Sequence, residues 1–226
     1  MAFGVENENK KKVHPPKQPI KFNLTLSQEQ KEAKPQIIDA PISFLVGPVG
    51  TGKTMAAVAI ALDMVFKKEK SKIVITRPTV SNEDNGFLPG TLQEKLEPWM
   101  VPIKDNMRKV YNKPEKLKDM EVKGEIELVS ISHFRGRTFD DAVCIIDEFQ
   151  NLTKSQLEMC IGRLGKNSIM IFCGDNRQID LKNKVDSAVL CIEKFNECKH
   201  VFIASFKENH RHPAINEILA CLNDVA

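Results

Sequence analysis

With 226 residues, 42% of them apolar, the chain can bury one sizeable core but is short for two full domains. Its net charge of +3 sets up no strong overall field, so any nucleic-acid surface must come from local placement of Arg and Lys. There is no apolar signal core at the N-terminus and no run of membrane-spanning length. The six cysteines form no Cys-x-x-Cys pair and sit in or beside apolar segments, which points to reduced, buried thiols in a cytoplasmic protein.

Residues 1–21 hold Lys10, Lys11, Lys12, Lys17, Lys21 and three prolines among few apolar groups, so they are expected to form a flexible basic arm ahead of one domain, 22–226. Ser27 then caps a short helix that should stop at Pro35. Within it, Gln30 is the candidate for an amide that reads the donor and acceptor edge of adenine, against the plainer alternative of a surface glutamine.

Ile42 to Val46 is a strand-type run, and Met55 to Phe66 is Ala-rich and suits a helix. Between them, Gly47-Pro48-Val49-Gly50-Thr51-Gly52-Lys53-Thr54 fits the phosphate-loop pattern G-x-x-x-x-G-K-[ST] in full. The glycines let backbone N–H groups turn inward as an anion nest, and the following helix adds its positive end. Lys53 supplies a point charge for β- and γ-phosphates, and Thr54 a hydroxyl for Mg²⁺.

Lys72 to Thr76 is the next strand, and Arg77 leaves its carboxyl end, where open parallel sheets bind ligands. The loop after it carries Gly86-Phe87-Leu88-Pro89-Gly90. Phe87 either stacks a base or pins the loop to the core. Apolar residues at helical spacing from Leu92 to Val110 predict a long helix, with Trp99 in the core, and residues 112–124 read as an exposed charged insertion. Ile126 to Ile131 is a strand, followed by Arg135, Arg137 and Thr138, whose two arginines flanking a glycine suit phosphate oxygens.

Ala142 to Ile146 is an apolar strand running into Asp147 and Glu148. Acidic groups at a buried strand end are costly unless they serve a cation. Asp147 fits as the Mg²⁺ carboxylate and Glu148 as the group that polarises an attacking water. The pair points to ATP hydrolysis and away from a small-molecule kinase. Leu157 to Leu164 is a further helix, Ser168 to Cys173 a strand, and Gln178 beyond it a candidate γ-phosphate sensor. Asn183-Lys184-Val185-Asp186 mimics a guanine signature but follows no strand. Val185 to Ile192 reads as a helix, His200 to Ala204 as a strand, and Ile215 to Leu222 as a closing helix preceded by Arg211, which can reach phosphate.

The motif order resembles the PhoH family of ATPases, which are similar to the first RecA-like domain of superfamily 1 helicases. The resemblance runs from about Gln30 to Asn223 and rests on the phosphate loop, Thr76-Arg77-Pro78, Gly86 to Gly90, Arg135 to Thr138, Asp147-Glu148-x-Gln150-Asn151, Arg163-Leu164-Gly165, Gly174-Asp175-x-x-Gln178-x-Asp180 and Arg211-His212-Pro213. Phe149, Val49 and Arg177 depart from the family pattern. The resemblance implies a RecA-like α/β domain, a mainly parallel, doubly wound sheet with helices on both faces, that hydrolyses ATP with Mg²⁺. It places adenine on Gln30 and the γ-phosphate near Arg211, and it implies single-stranded nucleic acid, RNA ahead of DNA, on Arg77, Phe87, Arg135, Arg137 and Thr138. No second RecA domain fits in 226 residues, so self-assembly, as a ring of six subunits for example, is the simplest way to cover the ATP site. Arg211 then acts either on a neighbour's nucleotide or on its own. The rival reading is an ATP-dependent regulatory or scaffolding protein that does not move on nucleic acid.

Overall fold

The computed structural model describes residues 22–78, 92–212, 214 and 218, with the backbone alone for 92–97. The basic arm, Phe87 and its loop, and Ile215, Leu219 and Leu222 of the closing helix lie outside the described residues.

Six runs rich in Val, Ile and Phe form one parallel sheet of strands β1 (Ile42–Val46), β2 (Lys72–Thr76), β3 (Ile126–Leu128), β4 (Ala142–Asp147), β5 (Ile169–Gly174) and β6 (Val201–Ser205). Their order is β3-β2-β4-β5-β1-β6, and each pairing between these strands is parallel. Parallel neighbours need crossovers, and here these run through α2 (Lys53–Phe66), α3 (Leu92–Val110), α4 (Pro114–Val122) and α5 (Lys154–Ile161), with 3₁₀ turns at 131–134, 149–151, 184–186 and 188–195, while α1 (Gln28–Asp39) precedes β1.

Side chains alternate across the pleat. Leu45, Ile73, Ile75, Ile145 and Ile171 face α1 to α4, whereas Phe44, Val74, Ile146, Met170 and Phe172 face α5 and the 3₁₀ turns. On the second face, Phe44 stacks between Phe172 (4.8 Å between ring centres) and Phe195 (5.4 Å) and meets Phe149 edge-on. Phe149, one of the family departures, is therefore fully buried packing beside the acidic pair.

Several expectations are corrected. Pro35 lies inside α1 and does not end it, because Ala33 and Ile37 are both buried and their packing outweighs the hydrogen bond that Pro35 cannot donate. Residues 112–124 are not a plain insertion: Pro114 opens α4, whose Leu117 and Met120, three apart, are buried among charges. Trp99 is only partly buried, because the inner face of α3 runs through Met100, Ile103, Met107 and Val110, one position round. β3 stops at Leu128, and the stretch from Val185 is 3₁₀ instead of α. Cys144, Cys160 and Cys173 are buried free thiols as expected, but Cys191 is partly exposed and Cys198 exposed.

Phe44→Ala removes a ring that touches three others at 0% exposure. It should cost about 3–5 kcal/mol, read as a lower denaturant midpoint with an unchanged slope in equilibrium unfolding.

Candidate nucleotide site

Strand register decides where the acidic pair lies. Cys173 of β5 is level with Asp147 of β4 on one side and with Leu45 of β1 on the other, so the ends of β4 and β1 stand at the same height with one strand between them. The loop leaving β1 turns across that gap. Gly50 (φ 93°) and Gly52 (φ 73°) adopt the left-handed conformation that glycine takes without strain, and Thr51 Oγ1 closes the turn by donating to Pro48 O at 2.9 Å. From the first turn of α2, Thr54 Oγ1 donates to Asp147 Oδ1 at 2.6 Å. Lys53 Nζ donates to Gly47 O (2.7 Å) and Pro48 O (2.9 Å), and burial lowers its pKa.

Asp147 is 4% exposed. Burial, then the neighbouring charge of Glu148, raise its pKa to about 6, against the lowering effects of the Thr54 hydroxyl and Arg77. A buried carboxylate held against a threonine hydroxyl is a hard-oxygen donor set suited to Mg²⁺, and the cost of its bare charge is what a cation would remove. Glu148 takes a left-handed backbone (φ 52°, ψ 43°), unfavourable for a non-glycine residue by about 1 kcal/mol. That turn separates the two carboxylates, leaving Asp147 inside and the Glu148 side chain 34% exposed at the pocket.

Sequence reasoning assigned no role to Gln150 and Asn151, although both stand in the acidic motif. Gln150, 1% exposed, donates from Nε2 to Glu148 Oε2 (2.7 Å) and accepts from the Asp175 N–H (3.2 Å). Asn151 exchanges hydrogen bonds with Asp180, accepting from its N–H (2.8 Å) and donating to its carboxylate (3.1 Å). Together they fasten the 174–180 loop, and with it exposed Gln178, to the end of β4. A Cβ at Gly174 would come within 2.4 Å of Gln150 Oε1 and 2.6 Å of the Phe149 ring.

The remaining candidates separate into two groups. Gln178 and Arg211 line one pocket of about 530 Å³ with Gly50, Lys53, Thr54, Asp147 and Glu148. Arg211 packs its methylenes close to Gly50 of its own loop, where an added Cβ would meet Arg211 Cγ at 2.9 Å, and the His210 N–H donates to Gly50 O. Gln30 is 2% exposed: its Oε1 accepts from the Ser27 N–H in a capping box and its Nε2 donates to Thr51 O (3.1 Å). Arg77 reaches the acidic pair, 3.4 Å from Glu148 Oε1 and 3.8 Å from Asp147 Oδ2.

Arg135, Arg137 and Thr138 are not brought to this pocket. The chain leaves β3 and runs back to Asp141, whose carbonyl accepts from Ser71 at the opposite end of the sheet, where β2 and β4 begin. Arg137 ion-pairs with Glu127 and lies over the Phe139 ring, while Arg135 and Thr138 are exposed. Asn183 and Asp186, of the guanine-like tetrad, hydrogen-bond each other in an exposed turn.

The family model for PhoH-like protein matches residues 24–223. A PhoH-like protein of Mycobacterium leprae is 38% identical over 188 residues, 80% of this chain and 53% of its own length, and one of Bacillus subtilis is 44% identical over 147 residues, 65% and 46%. The Escherichia coli protein PhoH is 36% identical over 173 residues, covering 72% and 47%. The chain thus spans about half the length of these curated relatives. Among solved structures, the large terminase of the thermophilic bacteriophage D6E aligns with TM-score 0.55 at 11% identity over 87% of this chain and 50% of that one. The UvsW helicase of bacteriophage T4 aligns with TM-score 0.52 at 12% over 82% and 61%. These likenesses establish the fold as RecA-like. Among the described residues no helix is long and apolar enough to cross a membrane.

Because the pKa of Asp147 is raised when folded, the native state holds its proton more tightly than the unfolded chain does. Stability is therefore lost as pH rises from about 4 through about 6. Asp147→Asn should raise the melting temperature of nucleotide- and metal-free protein by about 2–4 °C at pH 7.5, and the gain should vanish toward pH 4 in parallel melts.

Proposed function

The chain belongs to the PhoH-like family, and from that premise we propose that it is a Mg²⁺-dependent ATP hydrolase coupled to single-stranded nucleic acid. The observation that carries the reading is the 2.6 Å contact between Thr54 and Asp147 with Glu148 one residue on, all facing the phosphate loop.

The loop amides and the positive end of α2 would hold the β- and γ-phosphates, and Lys53 would exchange its bonds to Gly47 O and Pro48 O for phosphate oxygens. Thr54 and Asp147 would hold Mg²⁺, which supplies charge neutralisation across the phosphates. Glu148 would orient a water in line with the γ-phosphorus and take its proton as the water oxygen bonds to phosphorus and the bond to ADP breaks. Gln178, held in place through Gln150 and Asn151, would report the γ-phosphate by its amide. Arg211, lying on its own chain's loop, would stabilise the transferred phosphoryl group within that chain. Adenine recognition by Gln30 would use the one amide N–H left over from the cap and the loop.

The nucleic-acid half rests on the exposed Arg135 and Thr138, on Arg137 and on Arg77, and RNA is favoured over DNA by the family resemblance. Assembly into a ring would enclose such a strand, while the placement of Arg211 supports catalysis without a neighbour's arginine. The free, buried thiols of Cys144, Cys160 and Cys173 support a reducing, cytoplasmic setting.

Glu148→Gln should lower ATP turnover by about two to four orders of magnitude while nucleotide affinity, read by fluorescent-nucleotide titration, stays within about twofold. Mg²⁺ with ADP should raise the melting temperature of the wild type but not of Lys53→Ala. Equal loss of affinity in Glu148→Gln would make that residue structural. Separately, Arg135→Ala should reduce the salt slope of single-stranded RNA binding by about one unit, and an unchanged slope would remove this loop from the interface.

A further inference from the structure

Glu148 is the group in the pocket that the hydrolase reading assigns to take a proton from water, yet both its carboxylate oxygens already face donors. Gln150 Nε2 sits 2.7 Å from Oε2, and Arg77 Nη2 sits 3.4 Å from Oε1. The two contacts differ in kind. Gln150 is buried, short in its bond, and tied on its other side to the Asp175 backbone, so it is a fixed part of the frame. Arg77 is 22% exposed, and its contacts of 3.4 and 3.8 Å are well beyond the roughly 2.7–2.9 Å of a tight guanidinium–carboxylate bond. It is a loose cation over two carboxylates, at the end of β2 on the ligand edge of the sheet.

We infer that Arg77 is a positioning residue that gates Glu148: it covers the oxygen that a water would use, and a nucleic-acid phosphate draws it away. A phosphate offers the guanidinium two charge-assisted bonds in the planar fork geometry it prefers, and Arg cannot release the carboxylate by losing its proton. Exchange of anionic partners is therefore the way this contact opens. Once Arg77 leaves, Oε1 is free for water while Gln150 keeps the carboxylate aimed. Binding of a nucleic-acid strand at the end of β2, with β4 and β5 between it and the strand that leads into the phosphate loop, thereby becomes a condition for fast hydrolysis at that loop, with no movement of the sheet required. The inference rests on the hydrolase reading of this same site and adds the identity of the regulating contact.

The test compares wild type, Arg77→Gln, Glu148→Gln and the double variant in steady-state ATPase assays, with and without an oligouridylate strand, alongside anisotropy measurements of strand binding. Arg77→Gln should raise the strand-free turnover about two- to fivefold, the scale of releasing one partly exposed ion pair. It should also flatten stimulation by the strand, and the double variant should be as slow as Glu148→Gln alone, which shows that the gain runs through that carboxylate. Arg77→Lys, which keeps the charge and loses the fork, should give a smaller rise, and it reads the same effect if the glutamine variant folds poorly. A strand-free rate that is unchanged or lower in both variants overturns the gate. A raised KM for ATP with normal strand stimulation would also overturn it, because Arg77 would then be serving the nucleotide's own phosphates. A wild type that hydrolyses ATP but gains nothing from the strand, beside an accelerated Arg77→Gln, would overturn release by nucleic acid. A wild type without ATPase would instead sink the hydrolase reading itself.

Discussion

The hydrogen bond from Thr54 to Asp147 can form only if two strands that are not neighbours end at the same level. β1 and β4 are separated by β5, and the side chains that meet belong to a helix start and a strand end ninety-three residues apart. Parallel register does this work. It locks Leu45, Cys173 and Asp147 into one row, and one residue of slip in either pairing would flip the alternation of buried faces as well as misplace the carboxylate. The same packing that fixes the core, with Phe44 and Phe172 on one side and Leu45 and Ile171 on the other, therefore fixes the site.

Around that row, the loops at the carboxyl edge are fastened to one another by side chains reaching backbone groups. Gln30 holds Thr51, Gln150 holds Asp175, and Asn151 holds Asp180. Each is a polar group that would be costly to leave unpaired near the core, and each uses a loop as its partner. The result is a set of short segments with little regular structure whose relative positions are nonetheless determined.

Much of this was legible in the sequence because the relevant signals are local. The phosphate loop carries its own conformation in its glycines, and the apolar strands ended where Asp147 and Gly174 appear. What was not legible depended on partners distant in the chain. Nothing in the period of residues 112–124 outweighed their charge, yet Leu117 and Met120 find a place against the core. Pro35 read as a stop because its cost is local while the burial of Ile37 that offsets it is not. Arg137 followed a strand end, as Arg77 did, but the chain between Ile131 and Asp141 runs back along the sheet, and Glu127 holds the guanidinium. Gln150 could have been singled out by its place in the acidic motif, but its bridge between Glu148 and Asp175 depends on a residue twenty-five positions further on.

Gly174 has no side chain with which to bind or react, and its backbone does not take the left-handed conformation that usually explains a glycine. What it contributes is room: the space beside it is filled by the amide of Gln150 and the ring of Phe149, closer than a methyl group would allow. One added carbon there would displace the amide that aims Glu148 and the ring that supports the turn beneath it. In terms of mutational tolerance, the position should behave as an active-site residue, because the geometry of the carboxylate depends on an atom that must be missing.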